Sequence, residues 1–257
     1  MGYIRKLYWI TVNQFGFDLR LFLNAWLKLP RYIYDLYCFK KNYNGKLELL
    51  PCLHDAGEES GVSNTEYFSQ DLHVAQKIFS TAPERHVDIG SRLDGFVAHV
   101  ASFRDIEVFD IRKNTSEING IIFNQLDLMS PGQQYKNYCD SISCLHALEH
   151  FGLGRYGDEV DTSGYIKGLD AISSMLKTGG VMYLSVPVGI SKVMFNAHRI
   201  FDPREIIRVA NECDLNITGL VCISSNGVLT VLSDIENGLK FLSESTYNLA
   251  IFTFTKK

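Results

Sequence analysis

Three aspartates close short apolar runs in the middle of the chain. Asp88 lies in Val87-Asp88-Ile89-Gly90-Ser91, Asp110 in Val108-Phe109-Asp110-Ile111, and Asp127, followed by Leu128, comes just after Ile121–Leu126. In open α/β sheets, ligands bind outside the carboxyl ends of the strands, so acids at strand ends are the first residues to weigh. An acid two residues before a glycine lets the backbone turn sharply and approach a ligand closely. A second acid about 20 residues beyond such a turn can accept hydrogen bonds from both hydroxyls of a ribose. Asp127 is placed to accept from an adenine amino group. Together with the Gly179-Gly180 turn, this order and spacing suits an adenosyl ligand.

These residues need elements to position them. Short, apolar, β-branched runs predict strands at His86–Gly90, Ile106–Arg112, Ile121–Leu126, Asp140–Leu145 and Val181–Val186. Helical patterns fall between them, at about Gly95–Phe103, Thr162–Lys177 and Pro203–Cys213, after a first helix over Glu66–Ser80 that sets Leu72, Ala75 and Phe79 on one side. Leu176-Lys177-Thr178-Gly179-Gly180 reads as a helix stop and tight turn before the fifth strand. Alternation of this kind implies an open, doubly wound sheet. Asn216–Ser224 and Tyr247–Thr255 read as two closing strands separated by a long, poorly patterned segment.

The N-terminal stretch is different. Asp18 can cap a helix carrying Leu19, Phe22, Leu23, Trp26 and Leu27 on one face; Pro30 is expected to stop it and start another through Tyr32, Ile33, Leu36 and Tyr37. Residues 1–46 hold eight Lys/Arg against Asp18 and Asp35, a balance of +6 in a chain whose net charge is −4. A basic, aromatic-rich amphipathic arm suits either an anionic membrane surface or packing on its own domain or a partner subunit. Residues 42–64 read as a linker.

With 257 residues, 46% of them hydrophobic, the chain can bury a core without disulfides or metals. No apolar run reaches the ~18 residues of a membrane span, and no secretory signal pattern opens the sequence. The six cysteines have no CxxC spacing and most lie in apolar surroundings, which predicts buried free thiols, a reducing compartment and a cytoplasmic protein. Asn114-Thr-Ser and Asn216-Ile-Thr are therefore discounted as glycosylation sites. The net negative charge argues against general nucleic-acid binding.

The order "VDIGS … EVFDIR … NQLDL … SISCLHALEH … LKTGGVMYLSVPVG" resembles the class I S-adenosylmethionine-dependent methyltransferases over roughly residues 66–257. Within that superfamily, "CLHALEHFGLGRYGDEVD", with "HVDIGSRLDGF" before it and "FNAHRIFD" after it, is similar to a Caenorhabditis-type family of unknown function. The resemblance implies a Rossmann-like α/β fold over 65–257, with a mostly parallel seven-stranded sheet and a terminal antiparallel strand, preceded by a helical arm and linker over 1–64. It implies S-adenosylmethionine as cofactor. Asp88, Gly90, Ser91 and Arg92 match the cofactor loop, Asp110 with Ile111 the ribose acid, and Asp127 with Leu128 the adenine side. His146 follows the strand whose end faces the methionine part. The superfamily's further glycines are replaced here: Ser91, Arg92, Leu93 and Asp94 precede Gly95. Such a loop approaches the cofactor less closely, unless Arg92 pairs with the methionine carboxylate.

Methyl transfer from a sulfonium needs alignment of the acceptor and, for a hydroxyl, a base. His150 and His198 are the expected bases, with Glu149 to orient a histidine or hold an acceptor hydroxyl and Arg199 to bind an anionic part of the acceptor. Family association points to a small-molecule or glycan acceptor, a sugar or glycan precursor of surface-polysaccharide biosynthesis, methylated on oxygen. Three other readings compete. His146-Ala-Leu-Glu149-His150 fits the H-x-x-E-H pattern of inverted zinc peptidases, but it follows a strand and no third ligand stands out. The run Gly152-Leu-Gly154-Arg155-Tyr156-Gly157-Asp158 lacks the spacing of a nucleotide triphosphatase loop and reads as a lid or as an ordered loop. The altered glycine loop also admits a catalytically inactive, methyltransferase-like scaffold. A dehydrogenase is weaker still, because the GxGxxG fingerprint is absent.

Overall fold

The computed structural model describes residues 3–58 and 60–257, so Met1, Gly2 and Glu59 of the expected arm and linker lie outside it. The chain divides into two units, Met1–Val62 and Ser63–Lys257.

In the first unit, α1 (Tyr3–Phe15) is followed by α2 (Leu19–Lys40). Asp18 caps α2 as expected, accepting from the amides of Arg20 and Leu21, and the Tyr8 hydroxyl donates to the same carboxylate. The expected stop at Pro30 is not there: α2 is one helix of 22 residues with Pro30 inside it. A proline removes one ladder hydrogen bond, and here the helix continues through that gap. The described residues of 42–62 contain no regular structure beyond a helical turn at Asp55–Gly57. No helix among the described residues is long and apolar enough to cross a membrane.

The second unit begins with α3 (Glu66–Thr81), β1 (His86–Ile89), a kinked helical turn at Leu93–Val97 that runs into α4 (Ala98–Ala101), β2 (Ile106–Asp110), β3 (Ile121–Gln125) and β4 (Cys139–Leu145). Then come α5 (Gly164–Met175), β5 (Leu176–Val188), the hairpin strands β6 (Lys192–Met194) and β7 (His198–Ile200), α6 (Pro203–Glu212), β8 (Leu215–Ile223), β9 (Leu229–Val231), α7 (Ile235–Glu244) and β10 (Asn248–Lys256). The main sheet has eight strands in the order β3-β2-β1-β4-β5-β10-β8-β9. β1 to β5 run parallel, and β10 is antiparallel to both of its neighbours, β5 and β8. This is the expected doubly wound sheet with one addition. β9 extends the far edge, and three residues are too few for strand alternation to show in sequence.

Two other expectations change. The Leu176–Gly180 segment, read as a helix stop and turn, is already part of β5, whose pairing with β4 shifts register between Cys139 and Ser141. α3 buries Gln70, Asp71, Val74, Ala75 and Ile78, whereas Leu72 and Phe79 face solvent. A hydrophobic count rotates this helix wrongly because its inner face also carries polar groups: Gln70 accepts from the Ser185 hydroxyl of β5 and donates to Asp71.

One face of the sheet packs on α5 and α6, with Ile172, Met175, Leu184, Val209 and Phe252 fully buried; the other packs on α3 and α4 through Val74, Ile78, Phe96 and Val100. Phe252 lies in the middle of the antiparallel strand β10, opposite Leu184, and stacks on Phe254 with centroids 5.8 Å apart. Phe252→Ala should cost about 3–5 kcal/mol of stability, seen as a lower urea midpoint at unchanged slope. All six cysteines are free, but only Cys139, Cys144, Cys213 and Cys222 are buried; Cys38 and Cys52 are exposed.

Candidate active site

In parallel strands, residues on one face line up across the register. His86 stands beside Ser141, and Asp88 beside Ser143. The result is a buried polar ladder. His86 Nδ1 lies 2.8 Å from Ser141 Oγ and Nε2 lies 3.1 Å from Ser143 Oγ, while Ser143 donates to Asp88 Oδ1 at 2.6 Å. The Ser91 hydroxyl and amide also donate to Asp88. Asp88 is 0% exposed and is absent from the cavity wall, contrary to its expected cofactor contact. Burial pushes its carboxyl up to about 7, against the pull of these hydrogen bonds. Its place in the fold is to hold the turn after β1.

Burial likewise pushes His86 down to about 3, so the ring is neutral in the folded protein. A group with a depressed folded value loses protein stability as pH falls below its unfolded value, because only the unfolded chain takes up the proton. Between pH 6.5 and 4.5 this histidine alone removes about 2 kcal/mol. A His86→Asn protein should therefore be less acid-sensitive than the parent over that range, which urea midpoints at the two pH values would check.

A cavity of about 760 Å³ opens outside the carboxyl ends of the parallel strands, where the strand order reverses between β1 and β4. Gly90, Ser91 and Arg92 line it after β1, Asp110 and Ile111 after β2, Asp127 and Leu128 after β3, and His146, Glu149 and His150 after β4. His198, at the start of β7, also reaches it. Thus eleven of the thirteen sequence-selected residues share one cavity. Gly90 is required there: its φ is +71°, and a Cβ would stand 2.9 Å from that of Ala147.

Several of these side chains are already engaged. Arg112 forks onto both carboxylate oxygens of Asp110, and its guanidinium lies 4.8 Å over the Tyr156 ring. Arg92, expected to be available for a ligand carboxylate, is paired with Asp94 at 2.7 Å. Asp127 accepts from the Met129 amide. Arg199 is the second residue outside the cavity. It is 6% exposed and donates to the carbonyls of Phe151 and Glu149, tying the loop after β4 to β7 rather than meeting an acceptor. The glycine run at 152–158 is bonded to itself: the Asp158 carboxylate accepts from the amides of Gly152, Gly154 and Tyr156. Arg155 donates to the Ala197 carbonyl.

The histidines separate by geometry. His146, directly after β4, has φ +54°, a left-handed backbone uncommon outside glycine. Its Nδ1 is 2.9 Å from Glu149 Oε1, and its ring stacks on Tyr67 at 4.4 Å; histidine, like asparagine and aspartate, is among the non-glycine residues enriched in that backbone region. Burial opposes its charge most strongly, but the hydrogen bond and charge of Glu149, with Glu66 and Asp71 behind, outweigh this and raise its pKa above the ordinary value. Glu149 is held below the usual carboxylate range, the contacts with His146 overcoming the cost of burial. His150, by contrast, has Nδ1 committed to the Ala197 carbonyl, and burial lowers its pKa. His198 is half-buried and lowered for the same reason. The H-x-x-E-H segment is not a helix: only Leu148–His150 form a single turn, and Glu149 bonds His146 itself.

Among the cavity residues outside the sequence reading are Glu66, Tyr67 and Asp71 from α3, and Tyr247 just before β10. Tyr247 donates to Glu66 Oε1 at 2.7 Å. The polar face of α3, with Glu66, Tyr67, Gln70 and Asp71 at helical spacing, is the signal that would have pointed to three of them.

Residues 96–212 match the family model "Caenorhabditis protein of unknown function, DUF268". No curated protein matches the chain. Among solved structures, the chain is similar to a Burkholderia thailandensis 1,6-didemethyltoxoflavin-N1-methyltransferase with bound 1,6-didemethyltoxoflavin and S-adenosylhomocysteine. The identity is 12% over 74% of this chain and 79% of that one, with a TM-score of 0.52. The N-methyltransferase NodS of Bradyrhizobium japonicum, in complex with S-adenosylhomocysteine, is 13% identical over 76% and 90%, with a TM-score of 0.49. At such identities the likeness is one of fold. The first match and the strand order together make this a Rossmann-like methyltransferase fold.

Proposed function

We propose that this protein is an S-adenosylmethionine-dependent methyltransferase acting on a small polar acceptor. The observation that carries the reading is one cavity lined by residues from the ends of β2 and β4. At the end of β2 it has the Asp110 carboxylate, with Ile111 and Leu128 on its wall; after β1 the turn at Gly90, and after β4 the His146–Glu149 pair. The volume is in the range of sites that enclose a small ligand. The residues fit the cofactor: Asp110 now receives two side-chain donors from Arg112, and a ribose diol offers the same number. Asp127 and Leu128 would flank the adenine. When bound, the cofactor supplies a methyl group on a sulfonium. The protein's part is to align the acceptor, exclude water and take its proton at His146 Nε2, with Glu149 fixing the ring through Nδ1. The acceptor we favour is a sugar or glycan precursor, on the strength of the family resemblance. Calorimetry tests the reading: micromolar S-adenosylmethionine binding supports it, and no binding at millimolar cofactor overturns it.

The closed Asp110–Arg112 pair favours a second reading, a non-catalytic scaffold that has sealed its own ribose site. The same titration separates the two. For the arm we propose contact with an anionic membrane surface. Phe22, Trp26 and Leu27 of α2 are 50%, 62% and 77% exposed within a segment of balance +6. Co-sedimentation with phosphatidylglycerol vesicles but not phosphatidylcholine vesicles is the expected result.

A further inference from the structure

Among the described residues, four buried side-chain polar atoms have no hydrogen-bond partner, and three of them belong to one cluster: Glu66 Oε2, His146 Nε2 and Glu149 Oε2. Buried polar groups are normally satisfied, so three orphans on residues of one cavity wall call for a ligand. The His146 and Glu149 side chains are only 7% and 1% exposed. The two carboxylates bracket the imidazole: Glu149 Oε1 is 2.9 Å from Nδ1, and Glu66 Oε1 is 3.8 Å from Nε2. Tyr247 and Tyr67 enclose the cluster. Even with His146 charged, two carboxylates face one cation, and a buried cluster with an uncompensated negative charge is costly unless a further cation joins it. The guanidinium groups on the same wall are all engaged, Arg92 with Asp94, Arg112 with Asp110 and Arg155 with a carbonyl. The free valences of this cluster, two carboxylate oxygens and, in the neutral ring, Nε2, are acceptors of hydrogen bonds, which suit a cation and not an anion.

We propose that the methyl acceptor presents a primary amine, bound as its ammonium by the free oxygens of Glu66 and Glu149. This rests on the methyltransferase reading and moves the reacting atom from the expected oxygen to nitrogen. The ammonium gives one proton to Nε2 of neutral His146, which frees the nitrogen lone pair. The N–C bond then forms as the C–S bond of the sulfonium breaks, with the electron pair left on sulfur. The product leaves as a methylated ammonium, and His146 returns its proton to solvent. A neutral hydroxyl would leave the cluster's charge uncompensated.

The test uses the full chain saturated with S-adenosylhomocysteine and titrated with D-glucosamine and with D-glucose, a pair differing at one amine. Glucosamine is expected to bind about tenfold or more tightly than glucose. Glu66→Gln should erase the preference, and Glu66→Asp, which keeps the charge, should retain part of it. The affinity of each variant for S-adenosylhomocysteine reports whether its cavity is intact. Equal affinities, tighter glucose binding, or binding of neither sugar by a protein that does bind S-adenosylhomocysteine overturns the amine assignment alone. Failure to bind S-adenosylhomocysteine overturns the methyltransferase reading, and the amine assignment with it.

Discussion

His146→Ala is expected to lower methyl-transfer turnover by about 10²–10⁴-fold, the usual range for a lost general base, with cofactor affinity little changed. The proposed base needs one free ring nitrogen and the other oriented by a carboxylate, and among the described residues only His146 has that arrangement. Its pKa is raised, so the basic form, and with it the rate, should climb through a limb above pH 6.5. Glu149→Gln removes the main stabiliser of the imidazolium and should move that limb to lower pH, a change that a purely structural residue would not produce. Glu66, Asp71, Tyr67, Tyr247, His150 and His198 also face this region, and the charges of Glu66 and Asp71 still favour the protonated ring in that variant, against burial. Steady-state rates across pH 6–9.5 for parent and variant check both statements.

Asp110→Asn is expected to weaken S-adenosylmethionine binding by about 10–100-fold, since hydrogen bonds to a charged acceptor contribute about 1.5–3 kcal/mol each. The carboxylate is almost wholly buried at the end of β2, so water cannot replace what the amide fails to accept. The variant keeps the side-chain shape and the Phe109 core contact beside it, and its folding should change little. Isothermal titration of parent and variant gives the ratio directly. An unchanged affinity would place the ribose elsewhere in the cavity.

Much of this fold was legible because its signals are local. Each parallel strand buried on both faces writes a short β-branched run, and Asp18 caps α2 where the sequence places it. The errors came where local signals compete with distant partners. Pro30 reads as a stop, yet α2 runs through it; Leu72 and Phe79 read as an inner face, yet Gln70, bonded to Ser185 of β5, and Asp71, bonded to Gln70, turn inward. Asp88 reads as a ligand because it ends a strand before glycine. Whether a strand-end acid faces the cavity or a serine on the next strand depends on register, which one strand cannot reveal.

The sequence by itself determined the order of the five parallel strands and the closing pair, and the chain of acids and glycine at the parallel strands' ends, because these are set by spacing within a few residues. Only the tertiary structure decided which histidine has an oriented ring, that Arg199 braces a loop, and that Glu66 meets Tyr247 across 181 positions of sequence to enclose the cluster. Periodicity is a property of neighbours along the chain, whereas charge compensation and hydrogen bonding at a cavity are properties of neighbours in space.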